Sequence, residues 1–219
     1  MKTTLVTVVT GEIYEKFADD LFDSAEQFFH PTDEVELLML SGTPGWPEAT
    51  MLRWHHLFLG FPESDYVFMS DADMLFVADV WDEILPNDGI TATQHPGYVG
   101  EAKERIPYER RPESFSYVAP HRGGTYYCGG FVGGTAEAMF DLAEIVSDKI
   151  NLDRASGVTP VWHDESALNH TLLLVKPEVV LTPSYCYPDN DSYYKTFWPV
   201  EYKRKLVALD KTAEQRVGR

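Results

Sequence analysis

Asp71 and Asp73 stand one residue apart at the end of the apolar run Tyr66-Val67-Phe68-Met69, within the stretch YVFMSDADMLF. A strand points residues i and i+2 to the same face, so the pair can aim two carboxylates at one point. Two oxygen donors, with positions left open for a substrate's phosphates, suit a hard cation such as Mn²⁺, with Mg²⁺ as the alternative. Taken alone, an Asp-x-Asp tripeptide is as readily a solvated turn; the buried strand in front of it favours a site. A second group, His163-Asp164-Glu165-Ser166, opens an apolar segment. Asp and Glu in a first helical turn are ordinary capping residues, but the adjoining Trp162 and His163 are not. A carboxylate beside an aromatic wall can act as a nucleophile or stabilise a positively charged sugar. The pair His55-His56 has no ligand-type partner at i+4 and reads as surface or core. Lys203, Arg204, Lys205, Lys211, Arg216 and Arg219 make the end of the chain basic, as a solvated tail or as a lid over phosphates.

The elements that must hold these groups follow from periodicity. Thr4–Thr10 is β-branched and ends at Gly11, a strand and a turn. Ile13, Phe17, Leu21, Ala25 and Phe28/Phe29 recur at helical spacing over 12–29. Val35–Leu40 predicts a second strand, Gly42–Pro47 a loop, and Glu48–Leu59 a helix closing at Gly60. With the aspartate-bearing strand the opening is β-α-β-α-β, the mark of a parallel sheet covered by helices. In such a sheet the ligand crevice lies at the carboxyl ends of the strands. Gly89–Gln94 predicts a strand and His95–Arg122 a long loop of the kind that carries function. Thr125–Thr135 predicts a strand whose two Gly-Gly pairs invite close approach by a ligand or backbone. Ala138, Leu142, Ile145/Val146 and Ile150 mark one helix. Ala167, Leu168, Leu172 and Val175 mark the buried side of another within Trp162–Val175. Val179–Leu181 is a last short strand, and 183–219 reads as an aromatic, then basic, tail. No repeat or linker divides the 219 residues, which form one α/β domain.

Composition narrows the partners. A formal charge of −17 excludes non-specific nucleic-acid binding and docking on an anionic membrane. Two cysteines, Cys128 and Cys186, are too few for a disulfide scaffold. No apolar stretch is long enough to span a membrane and the N-terminus lacks the layout of a signal peptide. The expectation is a soluble, cytoplasmic protein.

Four further motifs follow or precede these groups in a recognisable order: HPGYVG (His95–Gly100), YERRPES (Tyr108–Ser114), YYCGGFVGGT (Tyr126–Thr135) and WHDESALN (Trp162–Asn169). With Asp71-Ala72-Asp73 they resemble glycosyltransferase family 6, across roughly residues 4–219. The resemblance implies a GT-A fold, a single Rossmann-like α/β domain with a mostly parallel sheet flanked by helices. It also implies retaining transfer of N-acetylgalactosamine or galactose from UDP-GalNAc or UDP-Gal to the 3-hydroxyl of a β-galactoside-terminated oligosaccharide. On the matching positions, Val9, Thr10 and Tyr14 meet the uridine, with Tyr14 stacked on uracil. Arg53 lies near the donor and Asp71, and Asp71 and Asp73 hold Mn²⁺ against the diphosphate. Cys128 and Gly130 help choose the donor sugar, and Asp164 binds it. His95 and Trp162 face the acceptor, Glu165 matches the proposed nucleophile, and Lys211 and Arg216 reach the diphosphate from a tail over 200–219.

Three departures from the family pattern matter. Residues 1–219 match no membrane anchor or stem of the animal enzymes, and the expectation from the resemblance is a compact microbial or viral member. Both aspartates are kept, which implies metal dependence. Pro107 stands where blood-group enzymes place a hydroxyl residue, which implies a different acceptor. Two rival readings fit the residues less well. A haloacid-dehalogenase-like phosphotransferase carries its aspartates on the first strand, not the third. A carbohydrate-binding protein without catalysis would have no need of Asp71, Asp73 and Glu165.

Overall fold

The structure, a computed structural model, describes residues 1–210. Strand β1 (Lys2–Val9) feeds helix α1 (Glu12–Phe28) and strand β2 (Glu34–Ser41). Two short helices, α2 (Glu48–Met51) and α3 (Arg53–Leu59), lead to β3 (Tyr66–Ser70). Then come β4 (Met74–Phe76), β5 (Ile90–Gln94), β6 (Tyr127–Thr135), α4 (Ala136–Ala155), α5 (His163–Leu174) and β7 (Val179–Leu181). The main sheet has the order β2-β1-β3-β6-β5-β7. Its pairs are parallel except at β6, which runs antiparallel to both β3 and β5. The expected α/β architecture, a mostly parallel sheet flanked by helices, is the one found. Among the described residues no helix is long and apolar enough to cross a membrane.

Period-two alternation divides the core between the two faces of the sheet. Val6, Val67, Met69 and Val132 pack with Trp54, Leu57, Met139, Val146 and Leu168 of α3, α4 and α5. Their chain neighbours Leu5, Phe68 and Phe131 point the other way, to Leu21, Ala25 and Phe29 at α1. The second Gly-Gly pair of β6 serves this packing: Gly133 lies opposite Phe68, where a Cβ would overlap the ring, and Gly134 lies against the main chain of Gly89 and Ile90.

Several expectations need correction. The segment 48–59 is not one helix, because it breaks at Leu52 and restarts at Arg53. Asp71 and Asp73 are not on the third strand; β3 stops at Ser70, and Asp71-Ala72-Asp73 turns the chain into β4. Ile13, Ile145 and Val175 keep helical spacing but face solvent, since the stripe that packs on the sheet is narrower than the apolar pattern. The region read as a tail contains β8 (Tyr187–Pro188) and β9 (Leu206–Ala208), which form a second sheet of order β4-β9-β8. Leu206 and Val207 are buried there. A strand of three residues is too short for its periodicity to be seen.

Candidate active site

The carboxyl ends of β1 and β3, the β3–β4 turn, the start of α3 and the start of α5 enclose a cleft of about 300 Å³. Arg53 organises it. The break at Leu52 makes Arg53 the first residue of α3, an unfavourable end of a helix dipole for a cation. Two carboxylates compensate: Nε donates to Asp164 Oδ2 at 2.6 Å and Nη1 is paired with Asp71 Oδ1. Burial alone would lower the Arg53 pKa, but the charges of Asp164 and Asp71 more than offset it and raise it. The guanidinium occupies the space that a Cβ on Gly129 would need, so the first Gly-Gly pair of β6 exists to admit Arg53.

Neither acidic residue of α5 caps its own helix. The N-cap residue is Trp162, with no side-chain cap, and Ser166 Oγ reaches back to accept from the Trp162 amide at 3.0 Å. Asp164 is fully buried and also accepts from Trp54 Nε1 at 3.1 Å, while its Oδ1 has no hydrogen-bond partner among the described residues. Burial pushes its carboxyl up, against the pull of Arg53. Glu165 Oε2 accepts from the Gly129 amide at 3.0 Å across the cleft wall. Burial raises the Glu165 pKa to about 7; the Gly129 amide works against that, and the Asp164 charge adds to it. Tyr126, 2% exposed, faces Glu165, and burial, then the carboxylate's charge, raises the pKa of its phenol. His163 adopts a left-handed backbone (φ 50°), and its ring meets Trp46 edge-on at 4.4 Å.

Of the residues singled out in the sequence, Thr10, Tyr14, Arg53, Asp71, Asp73, Gly130, Trp162, Asp164 and Glu165 line this one cleft. Val9 is not on the lining; its neighbours Val8 and Thr10 are, and Val9 packs behind them with Phe17 and Ala72. Cys128 is also behind the wall, 3% exposed, against the other cysteine, Cys186. His95 lies outside the lining, where its Nδ1 accepts from the Gly97 amide at 3.0 Å and its ring packs on Tyr98 and Tyr126. Burial lowers its pKa to about 4. Lys211 and Arg216 lie outside the described residues.

As a cation site, the β3–β4 turn offers oxygen donors alone. Asp71 Oδ2 makes no hydrogen bond among the described residues, and the Asp73 side chain is nearly buried beside it. Among the described residues no third His, Cys, Asp or Glu completes a metal cage. Two hard ligands with the remaining positions left to phosphate and water fit Mg²⁺ or Mn²⁺ rather than Zn²⁺.

Residues 46–213 match the model of the family described as Glycosyltransferase family 6. The chain belongs to glycosyltransferase family 6. It is 41% identical over 206 residues to histo-blood group ABO system transferase 1 of Rattus norvegicus, covering 91% of this chain and 57% of that protein. Against globoside alpha-1,3-N-acetylgalactosaminyltransferase 1 of Canis lupus familiaris the identity is 29% over 213 residues, 84% of this chain and 61% of the relative. Against alpha-1,3-galactosyltransferase 2 of Homo sapiens it is 27% over 214 residues, 84% and 62%. The chain thus spans less than two thirds of the length of these relatives. Its sheet is that of the family's GT-A fold.

Sequence reasoning passed over several residues of this family 6 cleft. Trp46, in the Gly42–Pro47 loop, is one of them; the sequence shows a Trp beside Pro47 but not its 72% exposure at the cleft. Ala49 and Thr50 gave no signal, because small helical residues become a wall only once α2 is placed.

Proposed function

We propose that the chain is a retaining hexosyltransferase that moves N-acetylgalactosamine or galactose from UDP to the 3-hydroxyl of a β-galactoside, forming an α1,3 linkage. The single observation that carries this reading is convergence. Asp71 and Asp164, joined through Arg53, and Glu165, held by Gly129, face one cleft in a chain of this family. The dog and human relatives are named for α1,3 transfer of these two sugars.

Thr10 and Tyr14 form the wall for the uridine, with Val9 shaping it from behind, and Tyr14 presents its ring to uracil. The Asp164 Oδ1 that lacks a partner is a ready acceptor for a donor-sugar hydroxyl. Gly130 leaves room on the wall, with Cys128 behind it, which favours the bulkier N-acetylgalactosamine. Trp162, 47% exposed, offers its ring to the acceptor, with His95 beyond the rim. Mn²⁺ or Mg²⁺ on Asp71 and Asp73 would supply positive charge to the diphosphate as it leaves. As the C1–oxygen bond breaks, positive charge grows on the anomeric carbon, and the Glu165 carboxylate is the anion placed to meet it. Double displacement and front-face attack both need that charge.

The test is direct. With Mn²⁺, each UDP-sugar in turn, and lactose or fucosylated lactose, UDP release should depend on acceptor and yield an α1,3-linked product. No acceptor-dependent release with either donor overturns the reading and leaves a sugar-binding protein. The phosphotransferase rival is disfavoured because the aspartates follow the third strand.

A further inference from the structure

The segment Tyr108–Ser114 lies outside the cleft lining, yet it is one of the most heavily bonded parts of the molecule. Glu109 is 2% exposed. Its Oε1 accepts from the Arg111 amide at 2.9 Å and from Arg111 Nε at 3.0 Å. Its Oε2 accepts from Arg111 Nη2 at 2.6 Å and from the Val161 amide at 2.8 Å. Arg111 Nη2 also donates to the Thr159 carbonyl at 2.6 Å. One buried carboxylate and one guanidinium therefore grip residues 159–161, the stretch that delivers Trp162. The rest of the segment fixes the grip to the body. Ser114 Oγ and the Phe115 amide donate to the fully buried Asp153 of α4, at 3.0 and 2.8 Å. The Tyr108 hydroxyl donates to the Thr125 carbonyl at 3.0 Å, just before β6.

The residues that follow Trp162 have anchors of their own. Asp164 is held by Arg53 and Trp54, and Glu165 by the Gly129 amide and, through its carbonyl, by Asn169 Nδ2 at 3.0 Å. The Trp162 amide is held by Ser166 Oγ at 3.0 Å, but Trp162 and Val161 are themselves about half exposed, and among the described residues Glu109 is the side chain bonded to the Val161 main chain. We infer that Glu109 and Arg111 are positioning residues that set where Trp162 stands, and so govern acceptor binding while leaving donor chemistry alone. This rests on the proposed function, with Trp162 on the acceptor side.

The experiment compares wild type with Glu109→Gln, Arg111→Gln and Arg111→Lys. Gln at 109 keeps one accepting oxygen: at the Oε2 position it still serves Val161 and Arg111 Nη2, but its amide group then faces the Arg111 main-chain amide and Nε, donor against donor, and the charge is lost. Arg111 is 45% exposed and Arg111→Lys keeps a cation beside the buried Glu109 carboxylate, so that variant carries the test if Glu109→Gln or Arg111→Gln does not fold. The acceptor KM should rise about tenfold in Glu109→Gln and Arg111→Gln. Arg111→Lys should recover part of that loss. The donor KM and the hydrolysis of UDP-sugar without acceptor should stay within about twofold of wild type. An unchanged acceptor KM in the folded variants overturns the inference. So does donor hydrolysis that falls in step with transfer, which marks a general structural role. A wild type that transfers no sugar overturns the proposed function instead, before any variant is compared.

Discussion

Arg53 and Asp164 stand 111 positions apart in the chain, and their Nε and Oδ2 atoms lie 2.6 Å apart in the fold. Asp164 is fully buried, so this contact is what makes a charge tolerable there. Removing one partner of a buried pair costs far more than removing both, because the survivor is left uncompensated. Arg53→Met should therefore destabilise the protein by roughly 3–5 kcal/mol. Arg53→Met with Asp164→Leu should recover most of that loss, although donor binding stays absent. Urea unfolding of the two singles and the double checks it; simple additivity would refute the coupling.

Glu165 gives a pH signature with a definite sign. Its folded pKa, about 7, lies above the ordinary 4.5. Both states are protonated below 4.5, so the residue has no effect on stability there. As pH rises from 4.5 to 7 the unfolded chain ionises first, and stability falls by about 3 kcal/mol. Glu165→Gln should accordingly be more stable than wild type at pH 8 and no more stable at pH 4. In kinetics the carboxylate must be ionised, so kcat/KM should rise through an inflection near 7. Glu165→Ala should lose transfer by orders of magnitude with UDP affinity nearly intact. Lost UDP binding with normal turnover would reverse the assignment.

Chelation tests the acidic turn. EDTA should reduce transfer by about two orders of magnitude, and Mn²⁺ should restore it. Calorimetry gives a second readout: Mn²⁺ should tighten UDP binding in wild type and not in Asp73→Asn. Full activity in excess EDTA would remove the cation from the reaction.

The opening β-α-β-α-β units were legible in the sequence because β1, α1 and β2 are long enough for period to show. The candidate site was legible where chemistry and spacing coincide, as at Asp71, Asp73, Asp164 and Glu165, which line one cleft. What escaped is what long-range contact decides. The break at Leu52, which aims Arg53 into the cleft, has no proline or glycine to announce it. Strand β9 exists because Leu206–Ala208 pairs with β4, and its three residues carry no pattern of their own. Glycine spacing in β6 pointed to close approach but not by what: Arg53 at Gly129, a ring at Gly133, main chain at Gly134.

Glu109 shifts the opposite way to Glu165. Burial would raise its pKa, but Arg111 and two main-chain amides lower it to about 2 from 4.5. Its contribution to stability is thus complete above pH 4.5 and is lost as pH falls toward 2. The stability gap between wild type and Glu109→Gln should be widest above pH 5 and close on acidification. A gap that does not vary with pH would show that the ion pair contributes nothing.

The adjacent glycines Gly129 and Gly130 should respond oppositely to one added methyl. At Gly129 a Cβ falls on the Arg53 guanidinium, which is held by two carboxylates and cannot retreat without breaking those pairs. Gly129→Ala should cost about 1–3 kcal/mol in stability and weaken donor binding. At Gly130 the nearest atoms to a Cβ are Cys186 Sγ at 3.3 Å, then Asp71 Oδ2 and Met74 Sδ at 3.6 Å. These distances ask for little adjustment, so Gly130→Ala should fold with near-normal stability. Its methyl instead lies 3.6 Å from Asp71 Oδ2 at the cleft wall, on the side proposed for the substituent on C2 of the donor sugar. The ratio of kcat/KM for UDP-GalNAc over UDP-Gal should fall by about tenfold. Equal loss with both donors would mean that Gly130 does not face the donor sugar at all, and the donor would then have to lie elsewhere along the cleft.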